Sequence, residues 1–294
     1  MHIYLEITNS CNRKCSFCPG TTRPPLFVTP ERFEERLNKV LPLADLVSMH
    51  LLGEPLFHPH FPELLAIGSR LKAPLQLTTN GTLLAHHKDL LLSEEHTLRQ
   101  INFSLQALDP VKERKLLENI LFFCLESVER RPEMYINLRL WNLPEDFSAN
   151  AKNRFVYMLL QKFFPDFPLD PEFSPGRKSK KITGRLYLHS DSLFHWPGDP
   201  AQTASKVLTA SSLPVPGKCR GLLDQCGVLA DGTLVPCCLD ADGRIDLGNL
   251  DLASSLEELL TSPRANRMRE SLQRGLLIEE LCKNCSYCKR FNRE

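Results

Sequence analysis

The sequence contains no run of about 18 apolar residues, so no membrane-spanning helix is expected. It has no excess of one charge either: 36 basic residues stand against 35 acidic ones, a net +1 with neutral histidine. That balance argues against binding nucleic acid or an anionic membrane through bulk charge, and neither partner is expected. No internal repeat and no low-complexity tract is present. No secretory leader is legible, because the stretch from Met1 to Pro30 already carries Glu6, Arg13 and Lys14. What is left is an ordinary globular composition, 42% hydrophobic and 24% charged over 294 residues. This length suits one large domain or two smaller ones, with a core that needs no disulfides to replace it.

Against these absences stands one surplus, eleven cysteines. An odd number cannot pair fully within the chain. Their placement says more: three lie between positions 11 and 18, seven between 219 and 288, and Cys124 stands alone. The reading is a cytoplasmic protein with reduced thiols, where clustered thiols usually bind metal.

The first half alternates between strand-like and helix-like patterns. Strands are expected at 2–8, 46–52, 75–79, 101–105 and 135–141. Helices are expected from Pro30, capped by Thr29, to about residue 43, then at 61–71, 110–130 and 151–164. Repeated βα units imply a parallel sheet, open or curled into a barrel. Arg185–Leu188 supplies a sixth parallel strand, and the preceding basic run, Arg177 to Lys181, reads as a solvated loop. From Cys219 the character changes. Asp231-Gly232 between two apolar stretches is a hairpin signal, and 256–274 reads as one helix with Gly275 as its C-cap. The expected domains are 1–200 and 201–294.

Cys11-Asn-Arg-Lys-Cys15-Ser-Phe-Cys18 follows the first strand directly. Three thiolates on one short loop can converge on one centre. A tetrahedral zinc wants a fourth ligand that this loop does not offer, whereas a [4Fe–4S] cluster held by three cysteines keeps one iron open. In βα folds the C-terminal ends of strands carry the chemistry. Leu52-Gly53-Glu54-Pro55 follows the second strand, Thr78-Thr79-Asn80-Gly81 closes the third, Ser104 ends the fourth, and Arg139 and Asn142 lie at the fifth.

In this set of motifs the chain resembles the radical S-adenosylmethionine (radical SAM) superfamily, over roughly residues 1–190. The resemblance implies an α/β fold, a (β/α)6 partial TIM-type barrel. Cys11, Cys15 and Cys18 would hold a [4Fe–4S] cluster whose open iron takes the amino and carboxylate groups of SAM. Gly53 and Glu54 would hold the SAM amino group, in a Gly-Gly-Glu-Pro-like motif whose first glycine is Leu52 here. Ser104, Arg139 and Asn142 would contact SAM polar groups, and Phe17 would meet the adenine. Arg139 has a second reading, an ion pair with an interior carboxylate such as Glu6. His58-Pro59-His60 reads as a helix entry, Cys124 as a buried small hydrophobe, and Trp196, in Phe194-His195-Trp196, as packing.

The spacing from Cys219 through Gly232 to Cys237 resembles the start of a SPASM domain, a small Cys-rich α+β domain with auxiliary iron–sulfur clusters. Two clusters held wholly by cysteine need eight thiolates, and seven are present. One auxiliary [4Fe–4S] cluster is the economical reading, with Cys219, Cys237, Cys282 and Cys285 as ligands. The assignment among Cys226, Cys237, Cys238 and Cys288 stays open, as does a zinc site made of four cysteines.

The resemblance implies an oxidoreductase or maturase-type enzyme. A reduced cluster cleaves SAM to a 5′-deoxyadenosyl radical, which abstracts hydrogen from a peptide, protein or small molecule. A flavodoxin or ferredoxin is the expected electron donor. The alternatives are an RNA-modifying enzyme of the same superfamily and a non-catalytic zinc or iron–sulfur protein.

Overall fold

The computed structural model describes residues 1–148, 150–193, 196–197 and 213–288. The expected domain boundary at 200/201 and the pair Phe194-His195 lie outside the described residues. In chain order the elements are β1 (His2–Leu5), α1 (Pro30–Val40), β2 (Leu46–Ser48), α2 (Phe61–Arg70), β3 (Leu75–Thr79), α3 (Leu84–Leu92) and β4 (Leu98–Ser104). Then come α4 (Arg114–Arg130), β5 (Tyr135–Leu143), α5 (Ala151–Phe163), β6 (Ser179–Thr183) and β7 (Leu186–Ser192). The last are β8 (Val215–Pro216), β9 (Gln225–Val228), β10 (Leu234–Val235), α6 (Leu256–Leu260), α7 (Pro263–Gln273), β11 (Leu276–Leu277) and α8 (Glu280–Lys283). Among the described residues no helix is long and apolar enough to cross a membrane.

The chain forms two compact units. The first comprises Met1–Glu54, His58–Pro74 and the described part of Phe194–Glu294; the second comprises Pro55–Phe57 and Leu75–Leu193. In the first unit β1 lies between β2 and β9, parallel to both, with Ile3 opposite Val47 on one side and Cys226 on the other. β10 folds back antiparallel on β9, through the expected Asp231-Gly232 turn, where Gly232 takes φ +94°. The cysteine-rich end of the chain therefore contributes strands beside the N-terminal one. α1 starts as expected, with the Thr29 hydroxyl accepting from the Arg32 N–H and Pro30 in the first turn. Phe33 and Leu37 of this helix join Ile3, Leu5, Val47, Phe61 and Leu64 in the buried core; each such side chain contributes roughly 1.5–3 kcal/mol.

In the second unit β3, β4, β5 and β7 are parallel neighbours in that order. β6 is the antiparallel edge strand on β7. That strand corrects the reading of Arg177–Lys181 as a solvated loop: Lys180 pairs with Leu188 and Lys181 with Tyr187. Charged side chains on an edge strand keep it from pairing with other chains. The single helix expected at 256–274 is two, because Ser262 caps a new helix whose first residue is Pro263. Gly275 follows it with φ +71°, as a C-cap requires. α3 was not expected; its apolar stripe is weak, with Leu84, Leu91 and Leu92 buried.

Side chains alternate along the second unit's strands. Leu77, Ile101, Phe103, Leu138 and Leu188 are buried on one face, where Phe103 meets Phe123 of α4 edge-on. Cys124 is fully buried on that helix, and burial pushes its thiol well up, as befits a small hydrophobe. The other face is polar, with Thr78, Asn102 and Asn137 in one row and Ser104, Arg139 and His189 in the next.

Candidate functional site

The three-cysteine loop is a span between two anchors in the first unit. On its near side, the Thr8 hydroxyl donates to the Leu26 carbonyl and the Asn9 amide to that of Pro24, at 2.8 Å each. The Glu54 N–H donates to Ser10 O at 2.9 Å. Gly53 lies against this strand end: a Cβ there would sit 2.3 Å from Thr8 O, and φ is +73°. Only glycine fits such a backbone approach and such a φ. The motif at 52–55 therefore closes onto the stem of the cysteine loop, and Glu54 is brought there buried.

On its far side, the Thr21 hydroxyl and Thr22 N–H both donate to Asp242 Oδ1, at 2.8 and 3.0 Å. Arg23 inserts between Ala241 O (2.8 Å) and Glu6, whose two oxygens it meets at 2.8 and 2.9 Å. Glu6 is fully buried and also accepts the N–H groups of Leu52 and Ala230. One carboxylate thus ties together β1, the exit of the cysteine loop, the Gly53 loop and the hairpin after β9. It is the partner of Arg23, not of Arg139.

Between the anchors Cys11 and Cys18 are exposed and Cys15 half-buried, with the Cys18 N–H donating to Cys15 O at 3.1 Å. Phe17 is half-buried on the same loop. Although its surface is open, crowding by the loop desolvates the Cys18 thiol enough to push it up, opposed by the Gly20 backbone and helped by charge on Cys11. Thiolates that repel one another in this way are stabilised by a bound cation, and binding releases their protons.

The C-terminal thiols form a second group in the same unit. Cys288 directs its S–H toward the Cys282 carbonyl oxygen, 4.0 Å away, and its side chain lowers the thiols of both Cys219 and Cys285. The neighbouring Cys288 side chain draws the Cys219 thiol down to about 6. Burial pushes Cys237 and Cys282 up, and charge on Cys219 adds to both. The expected ligands share one electrostatic neighbourhood: charge on Cys219 reaches Cys237 and Cys282, and charge on Cys285 reaches Cys282. Cys226 is fully buried in β9 opposite Ile3, and its thiol is pushed up to about 12 by burial. Cys238 packs instead against the apolar cluster of Leu51, Leu52, Leu229, Val235 and Ala241, as does Trp196. Among the described residues no three cysteine, histidine or carboxylate side chains are drawn together as ligands of a single metal ion.

Ser104, Arg139 and Asn142 belong to the second unit. Ser104 ends β4 opposite Arg139. Arg139 lies over the Trp141 ring, 4.6 Å from its centroid, and the Trp141 N–H donates to His189 Nδ1 at 2.8 Å. That bond fixes the His189 tautomer, leaving the proton on Nε2; burial, with Arg139 nearby, holds the ring below its ordinary value. Asn142 exchanges two 3.0 Å amide hydrogen bonds with the buried Asn153. Asn102 binds Thr78, Gln100 and Asn137. Glu6, Arg23, Trp141 and His189 were missed as site-building residues. For Glu6, Trp141 and His189 the signal is a polar or aromatic residue at every second place of an otherwise apolar stretch, as in His2-Ile-Tyr-Leu-Glu6 and Leu186-Tyr-Leu-His189; Arg23, in a loop, carries no such signal.

Residues 5–123 match the radical SAM superfamily. This stretch is a radical SAM domain. Residues 219–289 match the SPASM family, an iron–sulfur cluster-binding domain, which replaces the zinc alternative at the C-terminal thiols. A GTP 3′,8-cyclase of Microcystis aeruginosa is 25% identical over 281 residues, 84% of this chain and 83% of that protein. A probable GTP 3′,8-cyclase of Methanosarcina mazei is 26% identical over 290 residues, 87% and 83%. Two solved structures share the fold. Native anSMEcpe with bound AdoMet has a TM-score of 0.59 at 17% identity over 98% of this chain and 88% of that one. Streptococcus suis SuiB bound to precursor peptide SuiA has 0.58 at 16%, over 100% and 73%. The fold is thus the α/β partial barrel of radical SAM enzymes with a SPASM domain. The protein is an enzyme whose cofactors are SAM, a [4Fe–4S] cluster and an auxiliary iron–sulfur cluster. A non-catalytic metal protein is excluded.

Proposed function

We propose that this radical SAM enzyme acts on a small molecule, and that a purine nucleoside triphosphate, GTP first, is the substrate class to test. The supporting observation is that curated relatives matching most of the chain's length are GTP 3′,8-cyclases. The polar inner rows of the second unit, with amide, guanidinium and imidazole groups, suit a small polar substrate better than an apolar one.

Cys11, Cys15 and Cys18 hold the catalytic cluster, and Cys219, Cys237, Cys282 and Cys285 the auxiliary one. Phe17, Gly53, Glu54, Ser104 and Arg139 bind SAM. Asn142 serves more indirectly, since its amide is engaged with Asn153. Bound there, SAM and the reduced cluster supply one-electron cleavage of SAM and, from it, hydrogen-atom abstraction. The chain's own contribution is to hold the three thiols on an anchored loop and to keep Glu54 buried beside it. A flavodoxin or ferredoxin of a reducing cytoplasm provides the electron.

The test is anaerobic reconstitution with iron and sulfide, then dithionite and SAM with and without GTP. The expected result is 5′-deoxyadenosine in both cases, faster with GTP and matched by loss of GTP. Unchanged 5′-deoxyadenosine and intact GTP would remove the nucleotide from consideration.

A further inference from the structure

The far anchor of the cysteine loop is part of the C-terminal thiol segment. Asp242 lies five residues after Cys237, on a turn that begins at the Cys237 carbonyl, which accepts the Asp240 N–H at 3.3 Å. The buried Asp240 carboxylate fixes this turn from inside, accepting the N–H groups of Arg244 and Ile245 at 2.9 and 2.8 Å. Gly243 closes the turn at φ +67°. At its tip, Asp242 receives Thr21 and Thr22, and Ala241 receives Arg23. Thr21 is three residues after Cys18. A short hydrogen-bonded path therefore runs from a ligand of the auxiliary site to a ligand of the catalytic one. Both ends of the cysteine loop are held in this way, and the far one by the turn that carries Asp242.

We infer that Asp242 is a positioning residue for the catalytic cysteine loop, and that through it the occupancy of the C-terminal thiols sets how well the catalytic cluster binds SAM. Iron at Cys237 holds the start of the turn. The turn then presents Asp242 to Thr21 and Thr22, which fixes Cys18. The inference rests on the ligand sets given above.

A double-mutant cycle on the anaerobically reconstituted full chain tests it, with iron content and the SAM-induced change in the low-temperature EPR spectrum of the reduced cluster as readouts. Asp242→Ala is expected to keep its iron and to weaken SAM binding by EPR titration about tenfold or more, the scale of one lost hydrogen bond to a charged group. Asp242→Asn, which keeps an acceptor oxygen, is expected to restore most of the affinity. Cys282→Ser with Cys285→Ser is expected to lose the auxiliary iron and to weaken SAM binding similarly, and to add little in the Asp242→Ala background. Unchanged affinity in Asp242→Ala, or full additivity of the two sets, overturns the coupling alone. Iron content unaffected by the two serine substitutions overturns the ligand set, and the coupling with it.

Discussion

Gly53 is the residue on which the catalytic loop's stem depends most. With φ +73° and no room for a Cβ beside Thr8 O, Gly53→Ala forces that backbone contact apart. A loss of about 2 kcal/mol or more in urea unfolding is expected, with weakened SAM binding in the same protein. His58 makes the opposite kind of contribution. It is buried, with Nε2 on Val28 O at 2.9 Å and Nδ1 accepting the His60 N–H, so the ring is neutral and acts as the helix entry its sequence suggested. Burial holds its pKa down at about 4. The unfolded chain takes up this proton below about 6.5 and the folded chain does not, so stability falls with acidity between about pH 6.5 and 4. The urea midpoint should drop over that window, and drop less in His58→Gln; equal slopes would refute the assignment.

At the scale of elements, α1 is bolted to the chain's last third. Arg36, buried, donates to both oxygens of Asp251 at 2.6 and 2.7 Å and to Ala230 O at 2.9 Å, while Lys39 donates to Leu250 O and Ala253 O. Asp251→Ala leaves a buried guanidinium without its counter-charge and should cost about 3–5 kcal/mol in urea unfolding of the full chain. This connection was not legible in the sequence, because Arg36 sits in an ordinary charged helix pattern and its partner is 215 residues away. The elements themselves were more legible. β3 was expected at its observed bounds, and the Thr29-Pro30 start, the Asp231-Gly232 turn and the Gly275 cap all follow from local chemistry that tertiary contacts do not override. The split of the long C-terminal helix was announced by Ser262-Pro263, which a reading by apolar period passes over. β6 was hidden because its basic composition is that of a loop and its strand character comes from pairing with β7.

For the molecule as a whole, the proposed ligand sets divide iron between the two thiol groups. Replacing Cys11, Cys15 and Cys18 by alanine should abolish 5′-deoxyadenosine formation while leaving the auxiliary iron in place. Replacing Cys282 and Cys285 should leave iron for one cluster, counted by metal and sulfide analysis. The three cysteines of the first loop can be proposed as one ligand set from their spacing and the motifs that follow, since a loop ligand set is local in sequence. The choice among seven C-terminal cysteines was not legible, because it depends on how a hairpin and a distant tail converge.

The parallel pairing of β1 with β9 also sets a timetable for biosynthesis. About 220 residues separate the two strands, so at roughly 5–20 residues per second the ribosome needs about 10–40 s to deliver the second neighbour of the first strand. Glu6, Arg23 and the catalytic cysteines emerge early, before Ala230, Ala241 and Asp242 exist to receive them. Through that interval the three thiols hang on an unclasped loop, and folding of the first unit waits on contacts of long sequence separation. This strand arrangement favours cluster insertion into the finished chain, with nascent thiols kept reduced in the meantime.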